Sequence, residues 1–170
     1  DELELIDRSV MRFILGAYSK TPSETLYLET ASLPLRYIIM IRRIMYFQTI
    51  VTRDDQELIK RVYDAQKEDP VKGDWINLLK EDFKYIGKDL NEEEAKSTGR
   101  TEYKKVIKSK VREKVFIDLN LIKDTHSKVQ NIQYETFETQ EYLKNNNLTN
   151  NEVSLLFALR TRTMRSVKNN

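Results

Sequence analysis

The stretch TEYKKVIKSKVREKVFIDLNLI, residues 101–122, decides the fold class. Its apolar residues recur three or four positions apart, which is the spacing of one face of an α-helix. These residues are Tyr103, Val106, Ile107, Val111, Val115, Leu119 and Ile122. Most of the remaining positions are charged or polar, so the segment predicts a long helix that buries a single stripe. Thr101 is the expected N-cap residue of this helix.

Helix signals also fill the first fifty residues. Residues 2–15 carry apolar side chains at helical spacing, and Gly16 is a natural terminator. The sequence Thr-Pro-Ser-Glu at 21–24 matches a capping box, in which hydroxyl and carboxylate bind each other's backbone N–H groups. It predicts a short helix that ends near residue 30. Residues 34–52 are apolar nearly all round, which predicts the central buried helix.

The rest of the chain shows further helix starts. Polar residues that favour N-terminal positions are Asp54 with Glu57, Asp74, Asn91 with Glu94, and Thr149 with Glu152. Residues 137–143 predict a short helix, 131–134 an extended stretch and the asparagines at 145–147 an exposed loop. Four glycines and three prolines are few for a many-stranded sheet. The predicted fold is all-α, with seven or eight helices in an irregular multi-helix bundle.

Charge is segregated along the chain, although the formal net charge is only +2. Residues 54–94 hold 13 acidic against 7 basic residues, and residues 96–114 hold 8 basic against 2 acidic. These shifts suggest three segments: N-terminal helices at 1–53, an acidic and then basic helical region at 54–147, and a basic C-terminal helix at 148–170. Clustered basic residues attract polyanions even when the whole chain is nearly neutral.

The residue types that most catalytic sites need are scarce. The chain has one histidine, His126, and no cysteine, so thiolate-bound metals are excluded and a loop or capping role is expected for His126. The acidic runs at 54–55 and 92–94 are explained more simply as helix starts than as metal sites. We therefore predict no catalytic residue, no metal site and no cofactor. The longest apolar stretch, 33–51, is interrupted by three arginines, so no membrane partner is expected.

Basic side chains are the strongest candidates for a binding site. Lys104, Lys108 and Arg112 follow one another four positions apart on one helix face, and Lys105 flanks them. Such a face could bind a phosphate backbone, and the alternative is an ordinary solvated surface. A second cluster comprises Arg160, Arg162 and Arg165. Within the apolar helix, Arg36, Arg42 and Arg43 either pair with the acidic segment or face a groove.

Several strings of the sequence resemble one family. They are Arg12-Phe13-Ile14-Leu15-Gly16-Ala17, Thr21-Pro22, Leu26-Tyr27-Leu28-Glu29-Thr30, Leu33-Pro34-Leu35-Arg36-Tyr37-Ile38-Ile39, Arg42-Arg43, Gly73-Asp74-Trp75, Lys80-Glu81-Asp82, Thr125-His126-Ser127-Lys128-Val129 and Leu155-Leu156-Phe157-Ala158-Leu159-Arg160. Together they resemble the thumb and post-reverse-transcriptase helical linker of non-LTR retrotransposon polyproteins from invertebrates. These segments are typical of structural positions in that family and include none of its catalytic motifs. They span most of the chain.

The resemblance implies a scaffold rather than an enzyme. In that family the polymerase aspartates lie upstream, and a cysteine–histidine zinc motif and an endonuclease commonly lie downstream, but this sequence has no aromatic-x-Asp-Asp motif. The implied partners are RNA, DNA or an RNA–DNA hybrid, together with flanking polymerase and endonuclease domains of one polypeptide in the nucleus. The chain, which starts with Asp1 rather than methionine, is accordingly expected to be a piece of a longer protein.

Two functional hypotheses remain open at this point. The first is a non-catalytic helical region that grips template–primer or element RNA through phosphate contacts. The second is a helical protein–protein interaction or scaffold module, such as a domesticated retroelement remnant, that assembles through its acidic and basic halves. Binding to nucleic acid separates the two, because only the first requires it.

Overall fold

The computed structural model describes residues 2–69, 71 and 73–162. In these residues the chain forms nine α-helices and no strand, which confirms the predicted all-α class. In chain order α1 to α9 are Glu2–Leu15, Ser23–Thr30, Leu35–Val51, Leu58–Glu68, Trp75–Tyr85, Glu92–Ser97, Arg100–Asp124, Glu141–Lys144 and Asn150–Arg160. The described residues hold more helices than the seven or eight expected because the shortest two, α6 and α8, of six and four residues, count separately.

Three of the predicted helix starts form as expected. The Asp74 carboxylate accepts a hydrogen bond from Asn77 N at 2.8 Å, and Asn91 caps α6 in the same way. Thr149 and Glu152 form the complete predicted capping box at the start of α9. These caps are local, since each needs residues within one turn of the helix.

Other predicted details of the helix ends are wrong. Thr21 is buried and caps nothing, because α2 begins at Ser23 and its N-cap residue is Pro22. Thr101 lies inside the first turn of α7, since Tyr103 N already bonds Gly99 O at 2.9 Å. The start expected near residue 54 falls four residues later, at Leu58.

Residues 131–134, which were predicted as an extended stretch, comprise one turn residue and three loop residues without strand pairing, so the extended conformation stays a prediction.

The described chain divides into two compact units. One contains residues 36–114, and the other combines 1–35 with 115–170, so the divisions fall at the start of α3 and within α7. These boundaries differ from the three sequence segments, which remain a prediction.

In the 36–114 unit, aromatic residues form the centre of the core. The Phe47 ring meets the rings of Tyr63 and Phe83 at centroid distances of 6.0 and 5.7 Å. The unit also buries Ile44, Leu79, Ile107 and Val111 completely. Helix α3 is thus central to this unit, as predicted. It is not buried all round, because Ile38, Ile39 and Tyr46 are exposed.

In the other unit, Leu15, Leu26 and Phe157 form the core. The buried stripe of α7 continues here through Val115 and Leu119 and then reaches a charged residue, Lys123, that is 2% exposed. The Lys123 ammonium donates to the backbone oxygens of Val129, Gln130 and Ile132 and pairs with the Asp124 carboxylate. The turn after α7 is therefore built around a buried cation.

Candidate nucleic-acid interface

The N-terminal half of α7 separates apolar from basic residues. Tyr103, Ile107 and Val111 are buried at spacing four, and the next residue after each is basic: Lys104, Lys108 and Arg112. One residue is a rotation of about 100° on an α-helix, so the basic row runs alongside the buried stripe. Burial raises the pKa of the Tyr103 hydroxyl to about 12, so this residue packs as a neutral side chain.

Three of the four predicted α7 residues are available to a ligand. Lys104, Lys105 and Lys108 are exposed, and none of them forms an ion pair within the described ranges. Arg112 is half-buried and makes interactions within the protein. The structure therefore places the three lysines together on one face, whereas Arg112 lies at its edge.

Arg100 extends this row and was not predicted from the sequence. It is exposed, is the first residue of α7 and lies four positions before Lys104. From Arg100 to Arg112 the row covers about 18 Å of helix at 1.5 Å per residue. The signal was present in the i, i+4 spacing, but assigning Thr101 as the N-cap placed Arg100 outside the helix.

An open cleft lies beside the first turn of α7. Its volume is about 330 Å3. Its lining consists of polar and cationic residues, namely Gln48, Thr49, Thr52, Arg53, Thr98 and Arg100. The buried Gln48 side chain links α3 to the end of α6 beside the cleft. Its Nε2 donates hydrogen bonds to Ala95 O and Thr98 O at 3.1 and 2.9 Å. The cleft adds Arg53 to the basic residues near this end of the helix.

The arginines of α3 have separate environments. Arg43 pairs with the buried Asp82 carboxylate at 3.1 Å, which is the pairing with the acidic segment that the sequence allowed. Arg36 donates to Tyr37 Oη, and its guanidinium lies 4.7 Å from the Tyr37 ring centroid. Arg42 is exposed. Arg36 is exposed as well, so both side chains reach solvent, and Arg42 does so without an ion pair in the described chain.

The C-terminal arginines are also separated. Arg160 Nε donates to Glu29 at 2.7 Å, and its guanidinium lies near the Tyr134 ring. Arg162 is exposed and has a positive φ of 52°. Arg165 lies outside the described residues. Arg160 is therefore held by a buried carboxylate, and its contribution to a binding surface is smaller than the sequence suggested.

The histidine and the acidic pair that the sequence offered as candidate groups lie in separate local turns of the described chain. No cluster of three histidine, cysteine, aspartate or glutamate residues with metal-binding geometry occurs there. His126 lies in the turn after α7, exposed, with its Nε2 3.6 Å from a Glu24 carboxylate oxygen. Asp54 accepts a bond from Gln56 N in a local turn. The same described helices include none with the length and apolar character of a membrane span.

Comparisons with known proteins give no family assignment. No protein-family model matches the chain, and neither the curated proteins nor the solved structures contain a match to it.

Proposed function

We propose that this chain is a non-catalytic, nucleic-acid-binding helical region of a retroelement reverse transcriptase. The observation that carries the proposal is the group of three exposed lysines, Lys104, Lys105 and Lys108, beside the buried stripe of α7. The helix is anchored by its apolar stripe, so the ammonium groups are presented from a fixed backbone. Partners of this chemistry are the phosphates of RNA, DNA or an RNA–DNA hybrid.

The row has the features of a contact that positions a duplex without reading its sequence. Its donors are lysines, which bind phosphate as compact charges rather than through a planar fork. The acidic residues of this half of α7, Glu102 and Glu113, lie at least about 120° around the helix from Lys104 and Lys108, at 100° per residue. In this role the region grips template–primer or element RNA, and flanking polymerase and endonuclease domains of the same nuclear polypeptide perform the chemistry.

The test is a salt titration of binding to a short RNA–DNA hybrid. We expect the double variant Lys104→Gln/Lys108→Gln to bind more weakly at every salt concentration, because two phosphate contacts are lost. The slope of log affinity against log salt should fall by about two between roughly 50 and 200 mM salt, since each lost phosphate contact removes about 0.9.

A matched control is the double variant Lys80→Gln/Lys84→Gln. Both residues are exposed on α5, lie four positions apart and carry the same charge. The control should bind as the unchanged protein does. Equal loss in the two double variants would mean that net charge alone drives binding, and a flat salt response would contradict the proposal.

The second candidate is a helical protein–protein interaction module. The observation that favours it is the exposed apolar surface of α1, where Phe13 is 88% exposed. Contiguous apolar patches on a protein surface mark interaction sites more often than chance. In this case the chain would bind a protein partner, and its affinity for the hybrid would be absent.

A further inference from the structure

The cleft beside the first turn of α7 lies at a helix start that no side chain caps. Tyr103 N bonds Gly99 O, so Gly99 is the N-cap residue, and it has no side chain to accept from the first N–H groups. The backbone N–H groups of Arg100, Thr101 and Glu102 make no hydrogen bond to the described chain. A helix start carries a partial positive charge, so these three groups favour an anion.

Two arginines add full positive charges to the same cleft. Arg53 and Arg100 line it, and both are exposed. Arg53 lies 3.6 Å from a Glu57 carboxylate oxygen in a surface ion pair, which competes only weakly for its charge. Glu102 lies about 200° around the helix from Arg100, at 100° per residue. The charge presented to the cleft is therefore positive.

Two neutral side chains of the cleft have unused hydrogen-bonding atoms. The Thr98 hydroxyl has no partner among the described residues. Gln48 is 4% exposed, and its Oε1 is buried without a donor from the described chain. Its Nε2 donates to Ala95 O and Thr98 O, so turning the amide over would only exchange one unpaired atom for others. A buried acceptor without a donor is costly, so a ligand with an O–H group is favoured here.

The chemistry that meets both requirements is an anion that also carries an O–H group. A phosphate monoester that retains one proton has a negative charge and an O–H, whereas sulfate and the internal phosphodiesters of a nucleic acid have no O–H. The cleft volume of about 330 Å3 lies within the size range of small-ligand sites. The cleft therefore favours a hydrogenphosphate group over the diesters that the lysines of α7 would bind.

We infer that this cleft binds the phosphate monoester at the end of a nucleic-acid strand. Arg53, Arg100 and the N–H groups of the first turn bind its charged oxygens. Thr98 donates its hydroxyl hydrogen, and Gln48 Oε1 accepts the O–H of the phosphate. Arg100 also begins the basic row that continues through Lys104, so a strand along the row brings its end to the cleft. The inference rests on the proposed function, since the bound strand supplies the phosphate.

Two RNA–DNA hybrids of the same sequence test the strand end. One has hydroxyl groups at every strand end and the other has phosphates, and binding is measured at about pH 6, where about half of a phosphate monoester retains its proton. We expect the phosphorylated hybrid to bind about ten times more tightly, which corresponds to about one hydrogen bond to a charged group. Equal affinities for the two hybrids would overturn the assignment to a strand end.

The ratio of the two affinities is also the readout for arginine variants. Arg53→Gln should remove most of the preference for the phosphorylated hybrid. Arg61→Gln is the matched control, because it removes another exposed arginine of the 36–114 unit that does not line the cleft, and it should keep the preference. An equal loss of preference in both variants would mean that net charge is responsible, which would contradict the inference.

Gly99 allows the helix start itself to be tested. It is exposed, and a Cβ atom there would meet nothing within 4 Å, so larger residues fit. Gly99→Asp should cap the first-turn N–H groups with its own carboxylate and abolish the preference, because its charge repels the phosphate. Gly99→Ala leaves these groups free and should keep the preference. Urea unfolding establishes that both variants are folded. A retained preference in Gly99→Asp would contradict binding at this helix start.

Inorganic anions distinguish a strand end from free phosphate. Inorganic phosphate retains an O–H, so it should displace the phosphorylated hybrid more strongly than sulfate does at equal ionic strength. Equal displacement by the two anions would overturn the hydrogenphosphate assignment. If inorganic phosphate raises the melting temperature while both hybrids bind equally, the cleft binds free phosphate and the strand end is rejected.

The same measurements separate this inference from the proposed function. If neither hybrid binds, the proposed function fails, and with it the strand end as the source of the phosphate. The cleft is then still a phosphate site if inorganic phosphate raises the melting temperature of the unchanged protein more than that of Arg53→Gln. If the unphosphorylated hybrid binds and the phosphorylated one binds no better, the proposed function stands and the strand-end site is rejected.

Discussion

At Asp82, burial and an ion pair act on one carboxyl group in opposite directions. The side chain is 9% exposed, and its Oδ2 lies 3.1 Å from a guanidinium nitrogen of Arg43. Burial raises the pKa of Asp82 to about 6, the positive charge of Arg43 lowers it, and Glu81 raises it further. The upward direction shows that desolvation outweighs the attraction between the two charges.

This balance predicts how stability depends on pH. The folded pKa of Asp82 is higher than its unfolded value, so its stabilising contribution is complete below about pH 4 and is lost as pH rises to about 6. Relative to Asp82→Asn, the unchanged protein should lose on the order of 2 kcal/mol across this window. Urea unfolding of both proteins at several pH values measures the difference.

Asp55→Asn is the control for the Asp82 experiment, because it removes an exposed aspartate that is not among the charges acting on the Asp82 carboxyl. Its difference from the unchanged protein should vary little with pH. A protein that instead gains stability over Asp82→Asn as pH rises would show that the Arg43 ion pair outweighs desolvation.

Glu29 shows why the role of Arg160 could not be read from the sequence. Its carboxylate is fully buried and accepts bonds from Tyr134, Tyr142 and Arg160. Burial and the negative charge of Glu29 both raise the pKa of the two tyrosine hydroxyls. The three partners are 105 to 131 residues from Glu29 in sequence, so no local pattern links them. The segregation of charge along the sequence located the basic residues. It could not distinguish those that form ion pairs from those that do not.

Among the helix ends, those defined by local bonds were predictable. Thr149, Asp74 and Asn91 cap their helices as expected because the bonded groups are three residues apart. Thr21 fails as a cap, and its backbone oxygen accepts a bond from Arg12 of α1. A tertiary contact thus fixes the chain before α2 in a conformation that the capping pattern does not describe.

Two features of the structure require glycine at the end of α1, namely the backbone angle of Gly16 and its close contact with a neighbouring helix. Gly16 and Gly87 both have positive φ, 58° and 65°. A Cβ atom at Gly16 would lie 2.0 Å from Ser154 Oγ and 2.7 Å from Ser154 Cβ, whereas one at Gly87 would meet nothing within 4 Å. Helix α9 therefore approaches the end of α1 as closely as a residue without a side chain allows.

We expect Gly16→Ala to destabilise the protein more than Gly87→Ala. Both changes introduce left-handed strain of about 1–2 kcal/mol, and overpacking at Gly16 adds about 1–3 kcal/mol. Urea unfolding of the two variants gives the comparison. Adding Ser154→Gly to Gly16→Ala should recover most of the excess, and equal losses in the two single variants would mean that α9 moves aside at little cost.

At the scale of the whole molecule, the two compact units differ in how the chain builds them. Residues 36–114 are continuous, whereas the other unit joins 1–35 to 115–170. The contacts that define the continuous unit, such as Phe47 with Phe83 and Arg43 with Asp82, lie entirely within it. The core of the other unit needs Leu26 and Phe157, which are far apart in sequence.

The isolated segment 36–114 should therefore fold alone. We expect it to be helical and to unfold cooperatively in urea, because its core partners are all present. Residues 1–35 alone should lack stable helix, since Leu26 and Glu29 lose the residues that bury them. Circular dichroism of both peptides provides the measurement, and a non-cooperative, weakly helical 36–114 segment would contradict the expectation.

The division of the chain into two units could not be predicted from the sequence, whereas several features of single helices could. Periodicity and the scarcity of turn residues indicated the helices and the exposed lysine face of α7, because both depend on a stripe within one element. The grouping of 1–35 with 115–170 depends on contacts between distant elements. The exposed apolar face of α1 was likewise unpredictable, since its residues have the spacing that normally indicates burial in a core.

Lys123 gives the turn after α7 a property usually associated with metal-binding loops. Backbone oxygens from three residues converge on one positive charge, with a neighbouring carboxylate as counter-ion. A bound Ca2+ is coordinated by similar oxygen groups, but it can be removed by a chelator and its occupancy depends on concentration. Here the cation is covalently attached to the helix, so the loop carries its ion at fixed stoichiometry in every ionic environment.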